Sequence, residues 1–250
     1  IEQDQRSFSH EKNQTHQSEI KPRLLGRDTN KYSTILPDKY LLFIPWHFPL
    51  HEDNSISGAS EKATKIFQET YPDIFEHLNQ YKDKLSARNK VETGIRYEWY
   101  AMQRYASDYY HQFEMPKIMY QVLQVKPCFI FDEDGMYCNN SIWFIPTDDK
   151  VLLGILNSKM GWWLISKYCT AIQNGFQLIW KYFSQIPIAT GNDGVRKIIA
   201  DSVNEILSIK KHKPTADTTG LENQIDQFVY KLYDLTEEEI RIVEGKNINN

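Results

Sequence analysis

Apolar side chains recur at helical spacing in four stretches of the chain. Residues 60–88 have this period with an interruption at Tyr71-Pro72, where the proline predicts that one helix ends and another begins. Residues 151–167 and 194–211 each predict a helix, and residues 221–233 predict a further one. Helices with one apolar face are therefore expected to form a large part of the core.

Short apolar runs bounded by turn residues predict strands in the middle of the chain. Residues 118–123 and 141–145 are two such runs, and residues 129–131 and 136–138 flank a turn at residues 132–135. Together with the helix that follows them, these strands are expected to form the hydrophobic centre of the fold.

The pattern as a whole predicts an α+β fold: a mixed or antiparallel sheet with flanking helices and a C-terminal helical hairpin. Residues 40–44 have strand character and are expected to join the central sheet. Thr236, followed by three glutamates, predicts the N-cap of the last helix. We expect a polar arm or linker at residues 1–19, one main domain at residues 20–213, and an acidic helical hairpin at residues 214–250 packed on that domain.

Composition is that of a globular chain with an uneven charge. Of the 250 residues, 41% are hydrophobic and 25% are charged, and the formal net charge is −4. Residues 214–250 carry eight acidic and three basic side chains, so residues 1–213 have a net charge of +1. Because screening makes local charge matter more than a distant acidic segment, the overall charge does not exclude a polyanionic partner.

The cysteines and the most apolar stretches of the sequence indicate the cellular compartment of the protein. The three cysteines include no CxxC pair, which argues against a disulfide framework and a structural zinc site. The most apolar window, residues 151–165, is interrupted by polar side chains and predicts no membrane span. We therefore expect a cytoplasmic protein without a membrane partner. The start at Ile1 suggests a piece of a longer polypeptide.

No catalytic motif is evident. The sequence has no phosphate-binding glycine loop, no nucleophile elbow and no H-E-x-x-H pair. The glycine-rich cofactor loop and the Asn/Asp-Pro-Pro-Tyr/Phe motif of an amino-methyltransferase are also missing. His47 and His51 are separated by Pro49, so they do not share a regular helical face. We predict no catalytic residue and no metal ligand in this chain.

The candidate binding chemistry lies in residues 88–113, which fit neither a helix nor a strand template. Basic residues alternate there with aromatic ones: Arg88, Lys90, Arg96 and Arg104 with Tyr97, Trp99, Tyr100, Tyr105, Tyr109 and Tyr110. Guanidinium groups contact phosphates or guanine edges, and aromatic faces pack on sugars and bases. The alternative is that these aromatic side chains simply pack in the core.

Six short motifs, in order along the chain, resemble one known family. They are LLGRD at residues 24–28, Tyr71-Pro72 with its helix, FEMPKI at 113–118, LGILNSK at 153–159, SQIPI at 184–188, and the segment 225–239 that begins ID and ends EE. Together they look like the TaqI-like C-terminal specificity domain, over residues 20–244. The resemblance implies a DNA-reading module of a type II restriction–modification or adenine-specific DNA methyltransferase protein.

The resemblance also implies what lies outside this chain. Such a module follows an S-adenosylmethionine-dependent methyltransferase part, sometimes with a nuclease in the same polypeptide. We therefore expect no cofactor and no enzymatic activity in this chain, S-adenosylmethionine in the upstream part, and double-stranded DNA as the partner. The alternative function is a protein- or carbohydrate-binding module that uses its aromatic surface and does not bind DNA.

Within this interpretation, individual residues are assigned to contacts by their chemistry. Arg suits guanine, whereas Asn and Gln suit adenine. The candidates for the DNA backbone are Lys21, Arg23, Lys90, Lys117 and, in the loop 174–181, Lys181; those for base edges are Arg88, Arg96, Arg104, Asn174 and Gln177; Tyr97 and Trp99 supply aromatic faces. Arg27 is expected to form a buried pair with Asp28 or another carboxylate instead.

Overall fold

The computed structural model describes residues 2–3, 20–34, 39–88 and 96–246. The strands are β1 Glu2–Gln3, β2 Ile20–Leu24, β3 Thr29–Asn30, β4 Ser33–Thr34, β5 Tyr40–Leu42, β6 Lys117–Gln121, β7 Leu123–Gln124, β8 Phe129–Asp132, β9 Tyr137–Cys138, β10 Ile142–Ile145, β11 Thr170–Ile172 and β12 Gly175–Gln177. The α-helices are α1 Glu61–Thr70, α2 Pro72–Asn79, α3 Lys82–Ser86, α4 Lys150–Asn157, α5 Lys159–Tyr168, α6 Trp180–Phe183, α7 Asp193–His212, α8 Thr219–Leu232 and α9 Glu237–Val243. This is an α+β fold, which confirms the predicted class.

The chain divides into two compact units. The first consists of Ile1–Pro22 and Lys39–Gln112, and the second of Arg23–Asp38 and Phe113–Asn250. This division separates parts of the predicted domain 20–213 and groups its later part with the C-terminal helices. The predicted arm 1–19 lies outside the described residues apart from β1.

In the first unit, three short helices surround an aromatic core. Ser60 accepts a hydrogen bond from the Ala63 amide at the start of α1, and Pro72 occupies the first position of α2, as the sequence predicts. The core consists of Ile44, Phe48, Phe67, Ile74, Leu78, Tyr97, Tyr100 and Ala101. Strand β5 pairs antiparallel with β1 and with the first three residues of β2. Strand β5 is therefore not a member of the sheet β10-β6-β8; it belongs to the sheet of order β1-β5-β2-β9.

The second unit has an antiparallel sheet in the order β10-β6-β8, covered by aliphatic helices. Tyr120 of β6 is opposite Phe129 of β8 on one side and Trp143 of β10 on the other. The same core contains apolar side chains of α4, α5, α7 and α8. Gly135 has φ +71° in the turn after β8, a conformation that favours glycine and agrees with the predicted turn.

The predicted helix 151–167 is two helices, α4 and α5, which meet at Ser158. The Ser158 backbone is extended (ψ 167°), and its hydroxyl accepts a hydrogen bond from the Gly161 amide at the start of α5. A Cβ at Gly161 would lie 2.1 Å from the Ile155 carbonyl oxygen, so the close approach of the two helices requires glycine there. The prediction of one continuous helix is wrong because this serine acts as a cap.

The C-terminal helices follow the sequence pattern closely. Helix α7 is 20 residues long and spans the stretch predicted at 194–211. Thr236 and Glu239 form a reciprocal capping box at the start of α9, which confirms the predicted N-cap. None of the helices in the described ranges is long and apolar enough to cross a membrane.

Candidate nucleic-acid interface

In the first unit, two of the six aromatic side chains expected at a binding surface are packed inside. Tyr97 is 1% exposed and Tyr100 is 3% exposed. The Tyr97 ring stacks on Trp46 with 5.2 Å between ring centroids, and the Tyr100 ring packs on Phe67 at 4.5 Å. Trp99 is half-buried against Phe75. The aromatic side chains at 97 and 100 therefore contribute to the core and offer no contact surface.

Arg88 is held by the backbone of the same unit. Its guanidinium group donates hydrogen bonds to the carbonyl oxygens of Leu85 (2.8 Å), Trp99 (2.6 Å) and Ala101 (2.8 Å). Burial lowers the pKa of the guanidinium. In this position Arg88 ties the end of α3 to the irregular segment after residue 96, and it does not present its donors to a ligand.

Two arginines of the first unit remain at the surface. Arg96 and Arg104 are exposed. Arg104 lines a cleft of ≈ 210 Å³ together with Trp46, Tyr105 and Tyr109. Lys90 lies outside the described residues, so its predicted backbone contact stays a prediction.

Strand β2 carries two of the predicted backbone contacts. Lys21 is opposite Leu41 within the first unit, and Arg23 is opposite Tyr137 within the second; both side chains are half-buried. The nearby Arg27 lies 3.5 Å from Asp28, but its side chain is 64% exposed. The predicted pair is present, although it is not buried.

Lys117 is the clearest case of a predicted contact that the fold uses internally. Its side chain is fully buried, and its ammonium group pairs with Asp132, which lies opposite it in the β6–β8 register. The ammonium also donates to the Phe113 carbonyl oxygen, and Asp132 accepts the Met136 amide at 3.0 Å. This arrangement connects the start of β6 to the turn after β8, so Lys117 cannot reach a phosphate without unfolding this part of the sheet.

The loop that carries Asn174 and Gln177 is a β-hairpin in the second unit. Strands β11 and β12 pair antiparallel, and β12 pairs on its other side with β7. Asn174 is exposed in the two-residue turn. Gln177 is directly opposite Thr170 on one side and Leu123 on the other. Because directly opposed residues point to the same side of a sheet, these three side chains share one face.

The opposite face of this small sheet is anchored to the core. Gln124 is 2% exposed and bonds Cys128 through both its amide oxygen and its amide nitrogen. The Phe176 ring packs edge-on against Trp162 at 5.2 Å. Burial raises the pKa of the Cys169 thiol, immediately before β11, to about 11. One face therefore holds the hairpin in place, and the face with Gln177 is turned to solvent.

Gly175 allows the chain after β7 to cross this outer face. A Cβ at Gly175 would lie 2.0 Å from the Gln124 carbonyl oxygen and 2.8 Å from the Val125 Cα. No side chain fits there, and Val125 lies close to Gly175, which is opposite Ile172 in the hairpin. Leu123, Val125 and Ile172 are 54%, 65% and 36% exposed. They form an apolar outer face beside Gln177.

The stretch of sequence that contains the hairpin carries charge of one sign. Residues 150–192 include four lysines and neither aspartate nor glutamate. Lys159 pairs with Asp226 and Glu244, whereas Lys167 and Lys181 are exposed and lie over the rings of Trp163 and Tyr182. The exposed lysines Lys167 and Lys181 form no ion pair with a carboxylate in the described part of the chain, and such cations favour an anionic ligand.

The apolar outer face was not among the predicted site residues. Its signal in the sequence is the alternation Leu123-Gln124-Val125 and the isoleucine just before the turn at Gln173-Asn174. Alternation indicates a half-buried strand but leaves open which face is buried. In the described ranges, no group of three or more His, Cys, Asp and Glu side chains is placed to hold a metal ion.

Comparison with known proteins agrees with the motifs found in the sequence. The model of the TaqI-like C-terminal specificity domain matches residues 21–188. The chain therefore belongs to this family, and the predicted resemblance is confirmed. No curated protein sequence matches the chain.

A solved structure has a similar fold over most of the chain. It is the type IIL restriction-modification enzyme MmeI in complex with DNA, at 12% sequence identity and a TM-score of 0.57. The alignment covers 92% of this chain and 30% of that one, so the chain spans less than a third of the length of the enzyme it matches. At this identity the likeness is one of fold.

Proposed function

We propose that this chain recognises a specific sequence in double-stranded DNA, as the target-recognition part of a restriction–modification or adenine-specific DNA methyltransferase protein. The observation that carries the proposal is the family match over residues 21–188. The fold it shares with an enzyme studied in complex with DNA supports it further.

The geometry suggests how the contacts are divided. In the first unit, Arg96 and Arg104 are exposed and suited to guanine edges. In the second unit, the hairpin presents Asn174 and Gln177, which suit adenine, and Lys181 lies exposed on α6 nearby in sequence.

The remaining predicted residues have different roles in the proposal. Lys21, Arg23 and Lys90 are assigned to the DNA backbone, and the half-buried Trp99 to a sugar or base. The side chains of Arg88, Tyr97 and Lys117 are assigned to the structure of their own units, because they are bound or buried there.

The proposal assigns recognition to this chain and the chemical step to another part of its protein. An upstream part would bind S-adenosylmethionine and methylate adenine in the cytoplasm. The role proposed for this chain does not depend on whether the same protein also contains a nuclease. The proposed partner of the chain is DNA, and recognition by residues 1–250 needs no cofactor.

Binding of fluorescent duplexes by the whole chain tests the proposal. A pool with a randomised ten-base-pair centre is enriched by the protein, and the enriched duplex is compared with a scrambled one by anisotropy. We expect tighter binding of the enriched duplex and a linear fall of log affinity with log salt, because phosphate contacts release counterions. Equal, salt-insensitive binding of both duplexes contradicts the proposal and favours the protein- or carbohydrate-binding alternative.

A further inference from the structure

The outer face of the hairpin combines apolar side chains and amide side chains within a cationic stretch of sequence. It is apolar at Ile172 and Val125, it carries amides at Asn174 and Gln177, and the surrounding stretch 150–192 has lysines but no carboxylates. An exposed apolar face usually marks a contact site. The exposed lysines of this stretch favour a polyanionic partner, in agreement with the proposed function.

The size of the hairpin limits how it can contact a duplex. Each of its strands has three residues, which corresponds to a length of about 10 Å. The major groove of B-DNA is about 12 Å wide and admits a two-stranded ribbon, whereas the minor groove is about half as wide. Because β7 pairs only with residues 176 and 177 of β12, the turn end of the hairpin is the two-stranded part, and we place this end in the major groove with its turn directed at the bases.

In the major groove, only one base carries an apolar group. Thymine presents its 5-methyl group, and its partner adenine presents an acceptor and a donor that suit an amide side chain. A surface with exposed Ile172 and Val125 next to Asn174 matches an A·T base pair on both counts. A guanidinium-bearing surface would match guanine instead, and the hairpin strands and their turn contain no arginine.

We infer that the hairpin β11–β12 reads an A·T base pair in the major groove, with Ile172 and Val125 contacting the thymine 5-methyl group. The inference rests on the proposed function and adds to it the base pair that is read and the residues that read it. Ile172 and Val125 act as specificity-determining residues in this assignment.

The size of the effect follows from the methyl group. Removing one methyl group from water is worth a factor of about four in an equilibrium constant. Replacing the contacted thymine with deoxyuridine, which lacks only this methyl group, should weaken binding of the wild-type chain about threefold to fivefold. Deoxyuridine at thymines that are not contacted should leave the affinity unchanged.

A coupling experiment assigns the contact to the hairpin. The enriched duplex is made with deoxyuridine at one thymine at a time, and each version is titrated with the wild-type chain, Ile172→Ala and Val125→Ala. We expect both variants to bind the thymine duplex several times more weakly and to lose the difference between thymine and deoxyuridine at one position. Ile198→Ala is the matched control, because Ile198 and Ile172 are both 36% exposed and Ile198 lies on α7.

The outcomes separate this inference from the proposed function. Two results overturn the hairpin assignment but not the proposed DNA recognition. In the first, specific binding is unaffected by deoxyuridine at every thymine. In the second, Ile172→Ala and Val125→Ala remain as sensitive to deoxyuridine as the wild type. An enriched site without any A·T pair also overturns only the hairpin assignment. If no duplex is bound and Ile172→Ala instead changes the mass of the particle in solution, the face is a protein interface and both proposals fail. Urea unfolding of both variants confirms that they are folded in each titration.

Discussion

Residues 96–110 of the first unit and the hairpin β11–β12 of the second both place large apolar side chains next to hydrogen-bonding ones. In the first segment, Tyr97 and Tyr100 are 1% and 3% exposed, whereas Ile172 in the hairpin is 36% exposed. The two segments resemble each other in residue type, but the apolar side chains are buried in the first segment and exposed in the hairpin.

The difference follows from how each unit fills its core. The first unit has three short helices, and its core needs the rings of Tyr97 and Tyr100 to fill the space between them. The second unit has many aliphatic side chains from α4, α5, α7 and α8 over its main sheet, and of the hairpin residues only Phe176 packs against this core. The hairpin can therefore keep apolar side chains at the surface. Aromatic content alone is thus a poor guide to a binding surface, because a core short of aliphatic residues uses the same side chains.

Lys117 and Lys181 provide the strongest test of this contrast. Lys117→Met leaves Asp132 buried without its partner and should lower the free energy of unfolding by about 3–5 kcal/mol. Lys181→Met removes an exposed charge and should change the free energy of unfolding by less than about 0.5 kcal/mol. Urea unfolding followed by tryptophan fluorescence measures both. If Lys117→Met instead has unchanged stability and binds DNA more weakly, Lys117 contacts DNA and its structural assignment is wrong.

Arg88 and Arg96 test the same distinction within the first unit. Arg88→Ala removes three hydrogen bonds from a charged donor to carbonyl oxygens, and we expect a loss of about 2–4 kcal/mol in the free energy of unfolding. Arg96→Ala should leave stability unchanged and weaken binding of the enriched duplex by about 1–3 kcal/mol if it reads a base. The comparison fails if both variants lose stability equally, or if Arg96→Ala binds as the wild type does.

Gly175 tests whether the hairpin must stay in place. A methyl group at this position would overlap the Gln124 carbonyl oxygen, so Gly175→Ala should move the hairpin and cost about 1–3 kcal/mol of stability. Its affinity for the enriched duplex should fall as well. Gly220→Ala is the control, because nothing lies within 4 Å of a Cβ at Gly220, which is in the first turn of α8. Equal stability of Gly175→Ala and Gly220→Ala would show that the fold does not need the chain after β7 to pass so close to Gly175.

The smallest effect is expected for the salt dependence of binding. Lys181→Ala should reduce the slope of log affinity against log salt by about 1, because one phosphate contact is lost. Lys231→Ala serves as the control, since this exposed lysine lies on α8 in the acidic C-terminal part of the chain. Equal slopes for Lys181→Ala and the wild type would remove α6 from the DNA interface and leave the hairpin contacts to be judged separately.

Much of the local structure follows directly from the sequence. The interruption at Tyr71-Pro72, the turn at residues 132–135 and the capping box at Thr236 are predicted from residue type alone, because each depends on interactions between neighbours. The division of residues 151–167 into two helices was missed, since Ser158 can either continue a helix or cap the next one. Its conformation is settled by the close packing of α4 against Gly161.

The site was less predictable than the fold. The motifs correctly identify the family, and the candidate list contains exposed residues such as Arg96 and Asn174. The same list contains Arg88, Tyr97 and Lys117, whose chemistry suits DNA equally well. The list lacks Leu123, Val125 and Ile172, because hydrophobic residues are assigned to a core unless the register of their strands is known.

The sequence by itself determined the fold class, most helix boundaries and the family, because local pairings and apolar periodicity depend on neighbours along the chain. Only the tertiary structure decided which cations and apolar groups are available to a partner. Burial depends on residues that are separated along the chain. Lys117 forms an ion pair with Asp132, and Arg88 donates hydrogen bonds to the carbonyl groups of Trp99 and Ala101. At the hairpin, the register of β7 with β12 leaves Leu123 exposed beside the half-buried Gln177.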